Sequence, residues 1–207
     1  MSPRPGPATP DGAGRVPRVV LYSDPNCPFC FATEERLDRL GALHDVEWRG
    51  VQHAPGLPVP MVPTARPGGE DLAGEVAAIR RLAPEVAIKT PPGKPGTAEA
   101  IRWGAAALMA DPRAGRTFVR DLYRALWTVG ADLSDPAVLR GLADRAGLDA
   151  LHPGPDAANT TAAWQAAWHD TGLPGVPQLV RDDGQVVYGL ADASVLRAFL
   201  AGTPAGD

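Results

Sequence analysis

Cysteine is nearly absent from this chain. Two occur in 207 residues, three positions apart, as Cys27 and Cys30. No third cysteine exists, and the four histidines are dispersed. The four S, N or O ligands of a structural zinc site are therefore not at hand, and no metal is predicted. A strong charge of one sign is also missing: the net charge is -4 and the pI is near 5.6. The arginines are scattered, singly or as in Arg80-Arg81, and read as solvated helix faces. That argues against a nucleic-acid partner. No apolar run is long enough to cross a membrane. Residues 1–16 are rich in Pro and Gly. They lack the apolar centre of a secretory signal and read as a disordered tail. These absences predict a cytoplasmic protein. Structural disulfides are rare there, so the pair is predicted to cycle between thiol and disulfide.

What is present starts with the position of that pair. Cys27-Pro28-Phe29-Cys30 follows the apolar run Arg18 to Tyr22 and precedes a helical run to about Leu40. At a helix start the first N–H groups have no intrahelical partner. Together with the helix dipole they favour a thiolate at Cys27 and lower its pKa. Pro28 suits the first turn, where a missing N–H costs little. Val46 to Val51 alternates apolar and polar residues and reads as a second strand, completing a β-α-β unit.

The middle of the chain reads as helices: from Glu70 to Ala83, from a cap at Thr97 to Ala110, from Ala114 to Val129, from Ser134-Asp135-Pro136 to Gly147, and from Asp156 to Thr171. Strands return at Gln178–Val180 and Gln185–Tyr188 around an Asp183-Gly184 turn, followed by a helix capped by Asp192. The expected organisation is a tail (1–16), a first half (17–66), a helical insertion (67–171), a second half (172–202) and a short tail (203–207). The insertion is expected to pack and move as a body beside the site.

A β-α-β half and a β-β-α half, with Cys-x-x-Cys after the first strand, resembles the thioredoxin arrangement. With the helical block between them, the chain resembles the DsbA family. More narrowly it is similar to the FrnE-like branch and its relative, 2-hydroxychromene-2-carboxylate isomerase. The matching pieces are Ser23 to Cys30, Leu122 to Trp127 and Gly172 to Pro177. The resemblance implies an α/β thioredoxin fold with an all-helical insertion, and thiol–disulfide oxidoreductase activity on protein or small-molecule thiols and disulfides. It implies Cys27 as nucleophile, Cys30 as resolving cysteine, and Pro177 as a cis-proline facing the pair. Val176 would pair its backbone with substrate. Pro28 and Phe29 would form part of the substrate surface. No bound cofactor is required, and glutathione is a candidate co-substrate.

Two departures qualify the resemblance. Phe29 stands where strong oxidants of this family often carry His. Without that cation the pair should be less oxidising. The isomerase relatives use glutathione but carry Ser where this chain has Cys27. A glutathione-dependent isomerase or transferase is therefore the alternative reading, and a redox-sensing binding module or chaperone a third. His53, where the second strand runs out, is a candidate to bind substrate or exchange protons, or else a plain loop residue. Asp24 and Asn26 read as turn and cap residues. Asp24 is expected to point away, because a carboxylate would oppose the Cys27 thiolate.

Overall fold

A computed structural model of the chain describes residues 17–64 and 72–202. Both expected tails, 1–16 and 203–207, and the expected 66/67 boundary lie outside the described residues. Strands β1 (Val19–Ser23), β2 (Val46–Gly50), β3 (Gln178–Arg181) and β4 (Val186–Tyr188) form one mixed sheet in the order β2-β1-β3-β4. β1 pairs in parallel with β2, Ser23 standing opposite Gly50. It pairs antiparallel with β3, Tyr22 opposite Gln178. β1 is thus central, with Leu21 and Ser23 fully buried, and its C-terminal end delivers the cysteine loop.

Helix α1 (Pro28–Arg39) starts at that end. Cys27 is its N-cap residue in an extended conformation, and Pro28 occupies the first turn. Arg36 and Arg39 lie in its last turn, where positive charge suits the dipole. The parallel β1–α1–β2 crossover and the β3–β4 hairpin with α7 (Ala193–Leu200) make the two halves of a thioredoxin-like DsbA fold.

Between the halves run α2 (Leu72–Leu82), α3 (Ala98–Ala110), α4 (Pro112–Arg124), α5 (Pro136–Arg145) and α6 (Pro155–Asp170). α3 and α4 turn on a single residue. The Asp111 carboxylate accepts from the N–H groups of Arg113 (2.8 Å) and Ala114 (2.9 Å), with Pro112 next in the chain. The helix therefore begins two residues before the expected Ala114. A Cβ on Gly115 would stand 2.5 Å from the backbone of Ala107, so only glycine permits so close a crossing.

The expected helix to Val129 also changes character. Ala125–Val129 is a π-helical turn closed by Gly130 at φ 82°. Trp127 lies within this turn. The carbonyl accepts from Lys89 N–H at 2.8 Å, outside the helix, and the indole N–H donates to Pro25 C=O at 2.8 Å. Both ends of the residue are held by partners outside the helix.

The main apolar core of the described residues spans both halves and the helices, and a smaller cluster of Tyr22, Val51 and Trp168 lies apart from it. Leu21, Phe31, Leu37 and Trp48 share the main core with Ile79, Phe118, Leu122, Trp127 and Leu139. Phe31 of α1 stacks on Trp127 at 6.5 Å between ring centroids. The helices expected in the middle of the chain are there, and their buried side chains share this core with the sheet. Apolar residues on α1 and α4 complete each other's burial.

Candidate active site

The loop from β1 to α1 is anchored residue by residue. Ser23 Oγ lies 2.5 Å from Tyr123 Oη of α4. Asp24 Oδ1 accepts from Thr97 Oγ1 at 2.8 Å. Pro25 C=O accepts from Trp127, and Asn26 Nδ2 donates to Pro95 C=O at 3.2 Å. Four consecutive residues of the loop thus each bond to the segment 95–127. All four are buried, where an unmade hydrogen bond would cost about 1–3 kcal/mol.

Asp24 is the centre of the second anchor. Its side chain is fully buried. Oδ1 also accepts from Asn26 N–H at 3.2 Å, and Oδ2 accepts from the backbone N–H (3.0 Å) and lies 2.9 Å from Nδ1 of His53. The Asp24 carboxylate, expected to point away from Cys27, is turned to Thr97, the Asn26 N–H and His53. A buried carboxylate must be paired, and His53 reaches it because β2 ends beside β1, with Val51 N–H donating to Ser23 C=O. Burial opposes the charged form of His53, but the Asp24 hydrogen bond and charge, aided by the Cys27 charge, hold its pKa above the ordinary value, with Lys94 opposing.

Both cysteines are free thiols. Burial works against a Cys27 thiolate, yet its pKa lies below the ordinary value. The Cys30 side chain, the His53 charge and the Cys30 backbone N–H (3.4 Å from Cys27 Sγ) outweigh burial, and Asp24 opposes them least. Cys30 goes the other way. Burial, the Cys27 hydrogen bond and the Cys27 charge push its thiol well up, against donors at Ser23 and the Asp24 N–H. The first sulfur is thus the more acidic of the two.

Cys27 is 4% exposed and Cys30 not at all. An openly exposed first sulfur is not what the structure has. Cys27 Sγ lies 3.8 Å from the carbonyl of Val176, which covers it. The bond Val176–Pro177 is cis, as the resemblance implied. A second cis bond, Val59–Pro60, carries no sequence signal. Pro28 is buried, while Phe29, Val176 and His53 keep partial exposure. Of the dipeptide, only Phe29 offers surface to a substrate.

A cavity of about 540 Å³ opens beside His53, with Ile101 and Arg102 of α3 and Ala162, Gln165 and Trp168 of α6 in its wall. Trp168 donates its indole N–H to Gly175 C=O at 3.3 Å. The cavity wall thus touches both the Asp24–His53 pair and the loop that covers Cys27. Among the described residues no cluster of His, Cys, Asp and Glu is arranged to hold a metal ion.

Sequence reasoning placed the cysteines and His53 at one sheet edge but missed Thr97, Tyr123, Trp48 and the role of Asp24. A partial signal existed for Tyr123 and Trp127. Their stretch matches the family pattern even though each also fits an ordinary apolar helix stripe.

The DSBA-like thioredoxin domain model matches residues 18–201. Among solved structures, a probable DsbA oxidoreductase from Streptomyces coelicolor is 25% identical, with 90% of this chain and 89% of that one covered at a TM-score of 0.71. A candidate protein disulfide isomerase from Nitrosomonas europaea is 18% identical, covering 90% and 96% at 0.70. A 2-hydroxychromene-2-carboxylate isomerase is 15% identical, covering 89% and 93% at 0.62. A search of curated proteins found no match. With almost its whole described length matched, a cysteine pair at the first helix start and a cis-proline facing it, this chain belongs to the DSBA-like thioredoxin domain family.

Proposed function

We propose that the chain is a thiol–disulfide oxidoreductase. The observation that carries this reading is geometric: two free cysteines at the start of α1, Cys27 as its N-cap with the Cys30 N–H 3.4 Å from its sulfur, beside the cis Val176–Pro177 bond. The surroundings pull the Cys27 thiol down and push the Cys30 thiol up. A thiolate is the attacking species in disulfide exchange. Cys27 attacks a substrate disulfide. One substrate sulfur leaves with the electron pair and takes a proton, and the other remains joined to Cys27. Cys30 then attacks the Cys27 sulfur, closing Cys27–Cys30 and releasing the second substrate thiol. Pro177, having no N–H, keeps a donor away from the sulfurs. Phe29 and the Val176 backbone contact the substrate. Glutathione serves as co-substrate, no bound cofactor is needed, and cytoplasmic residence is part of the same proposal.

Cys27→Ser is expected to abolish exchange, and Cys30→Ser to accumulate mixed disulfides with glutathione, seen as an added tripeptide mass. Wild-type protein that neither reduces insulin nor equilibrates with a glutathione buffer would refute the reading.

A second reading, a glutathione-dependent isomerase or transferase, draws on the cavity beside His53. There Cys27 would hold or activate the tripeptide thiol, and the wall formed by α3 and α6 would take an apolar substrate. Tight binding of reduced glutathione by calorimetry without any exchange activity would favour it. A redox-sensing module would need only an accessible pair, and the cavity beside His53 favours the two enzyme readings over it.

A further inference from the structure

Val176 belongs to a loop, residues 172–177, that has little apolar burial to hold it. Gly172 and Pro174 are exposed, and Leu173, Gly175 and Val176 are only half-buried. A segment of this kind opens locally unless hydrogen bonds close it. Its far end is closed by Gly189 N–H, which donates to Pro177 C=O at 2.9 Å. Where the rest of the loop lies decides how Cys27 is covered, because Val176 C=O stands 3.8 Å from Cys27 Sγ.

One buried side chain fixes that part. Gln178 opens β3, in register with Tyr22 of β1 and Tyr188 of β4, and is 0% exposed. Its carboxamide turns back over the loop. Nε2 donates to Gly175 C=O at 2.5 Å and to Leu173 C=O at 3.3 Å. Two carbonyls on one side require the two N–H groups there, so Oε1 faces Thr171 Oγ1, 3.0 Å away. Thr171 Oγ1 also lies 2.7 Å from Trp168 C=O, but that carbonyl already accepts from Thr171 N–H. Oε1 has no other donor among the described residues, so the hydroxyl proton goes to Gln178. The same hydroxyl accepts from Leu173 N–H at 3.2 Å, and Trp168 adds its indole N–H to Gly175 C=O. Thr171 caps the end of α6. The amide therefore ties the helix end, the loop and the strand start together. Only a carboxamide offers two N–H donors and an acceptor without a charge to bury.

We propose that Gln178 is a positioning residue: its carboxamide holds residues 172–176 where the Val176 backbone can meet an extended peptide beside Cys27. The site then favours disulfides carried on a peptide chain over small disulfides that have no backbone amide. The proposal rests on the oxidoreductase reading and gives it a substrate class. Without the amide, the Leu173 and Gly175 carbonyls turn to water at the surface, and the loop leaves its place over the sulfur.

Reduced protein is tested in single turnover with a disulfide-bonded peptide and with bis(2-hydroxyethyl) disulfide, which has no amide to pair. Gln178→Met keeps the length of the side chain and removes its donors. The half-saturating peptide concentration should rise about tenfold with the limiting rate within about twofold of wild type, as expected for lost binding rather than lost chemistry. The small disulfide should react no more slowly than with wild type. Iodoacetamide should label Cys27 faster, since its cover has moved, and should still leave Cys30 unlabelled in the intact fold. Thr171→Val removes fewer bonds of the set and should give the same pattern at about threefold. It decides the matter if Gln178→Met does not fold. Unchanged peptide binding in either folded variant, or an equal loss for both disulfides, would overturn the proposal. Wild type that exchanges neither disulfide would instead defeat the oxidoreductase reading. Cys27 labelling would then still decide the role of Gln178, an unchanged rate in the variants refuting it and a faster one supporting it.

Discussion

The sheet half of this molecule and its helical segment contribute different things to one site. The sheet half supplies the reacting atoms and the charge: Cys27 and Cys30 at the start of α1, His53 beyond β2, and Asp24 between them. The helical segment supplies position. Thr97, Tyr123, Trp127 and Pro95 hold the loop that carries the cysteines. Electrostatic tuning comes from within a few residues of a strand end, whereas immobilisation comes from residues 69 to 102 positions away. The difference teaches that the helices here are a wall of the site as much as a cover for it.

The most disruptive way to break this division is at the ion pair that joins α1 to α4. Glu34 and Arg116 are 0% and 3% exposed at the side chain, in a two-bonded contact. Arg116→Met leaves a buried carboxylate alone and is expected to cost about 3–5 kcal/mol in urea denaturation. Combining it with Glu34→Met should recover most of that loss. A single variant as stable as wild type would show that the two parts do not depend on each other.

A milder cut is Thr97→Val, which removes one donor from the buried Asp24. The expected loss is about 1.5–3 kcal/mol, as for a hydrogen bond to a charged group. Because His53 still holds Asp24, the Cys27 alkylation profile should move little. A large change in that profile would mean that the helices tune charge as well as position.

His53→Gln tests the opposite side of the comparison. The Cys27 thiolate loses a cation, so its pKa should rise. At a pH below both values a rise of one unit gives about tenfold slower alkylation by iodoacetamide, or ~1.4 kcal/mol. The sign for stability follows. A depressed thiol pKa adds stability to the reduced fold above the unfolded value, and that part is lost as pH falls through the folded one. Reduced wild type should therefore lose this increment on acidification, and His53→Gln should lose less.

The smallest effect is expected at Phe29→His. On sequence grounds, Phe29 left the thiolate without a cation and made the pair a mild oxidant. The structure has His53 in that electrostatic role. A second cation beside an existing one should raise the reduction potential by less than about 30 mV, the equivalent of ~1.4 kcal/mol for a two-electron couple. A larger rise in a glutathione titration would show that His53 contributes little.

Local order made much of the fold legible. The β1–α1–β2 unit follows from an apolar run, a Pro at a helix start and an alternating strand, all within about 35 residues. The π-helical turn at Ala125–Val129 was not legible, because the apolar stripe that marks the helix does not register a change in its hydrogen-bond step. The site divides the same way. Cys27 and Cys30 announce themselves by spacing. Asp24 looked like a turn residue because its partners His53 and Thr97 stand 29 and 73 positions on. Tyr123 looked like one more residue of an apolar stripe, since only its hydroxyl distinguishes it there.

The anchoring of residues 23–26 also bears on when the site comes into being. A chain made from its N-terminus presents both thiols well before residues 95–127 are synthesised. Contacts at such separation form late, because a long loop must close first. Until then the loop lacks all four anchors. The fixed position of Cys27 and Cys30 belongs to the completed chain, and a partial translation product would carry the motif on an unanchored loop.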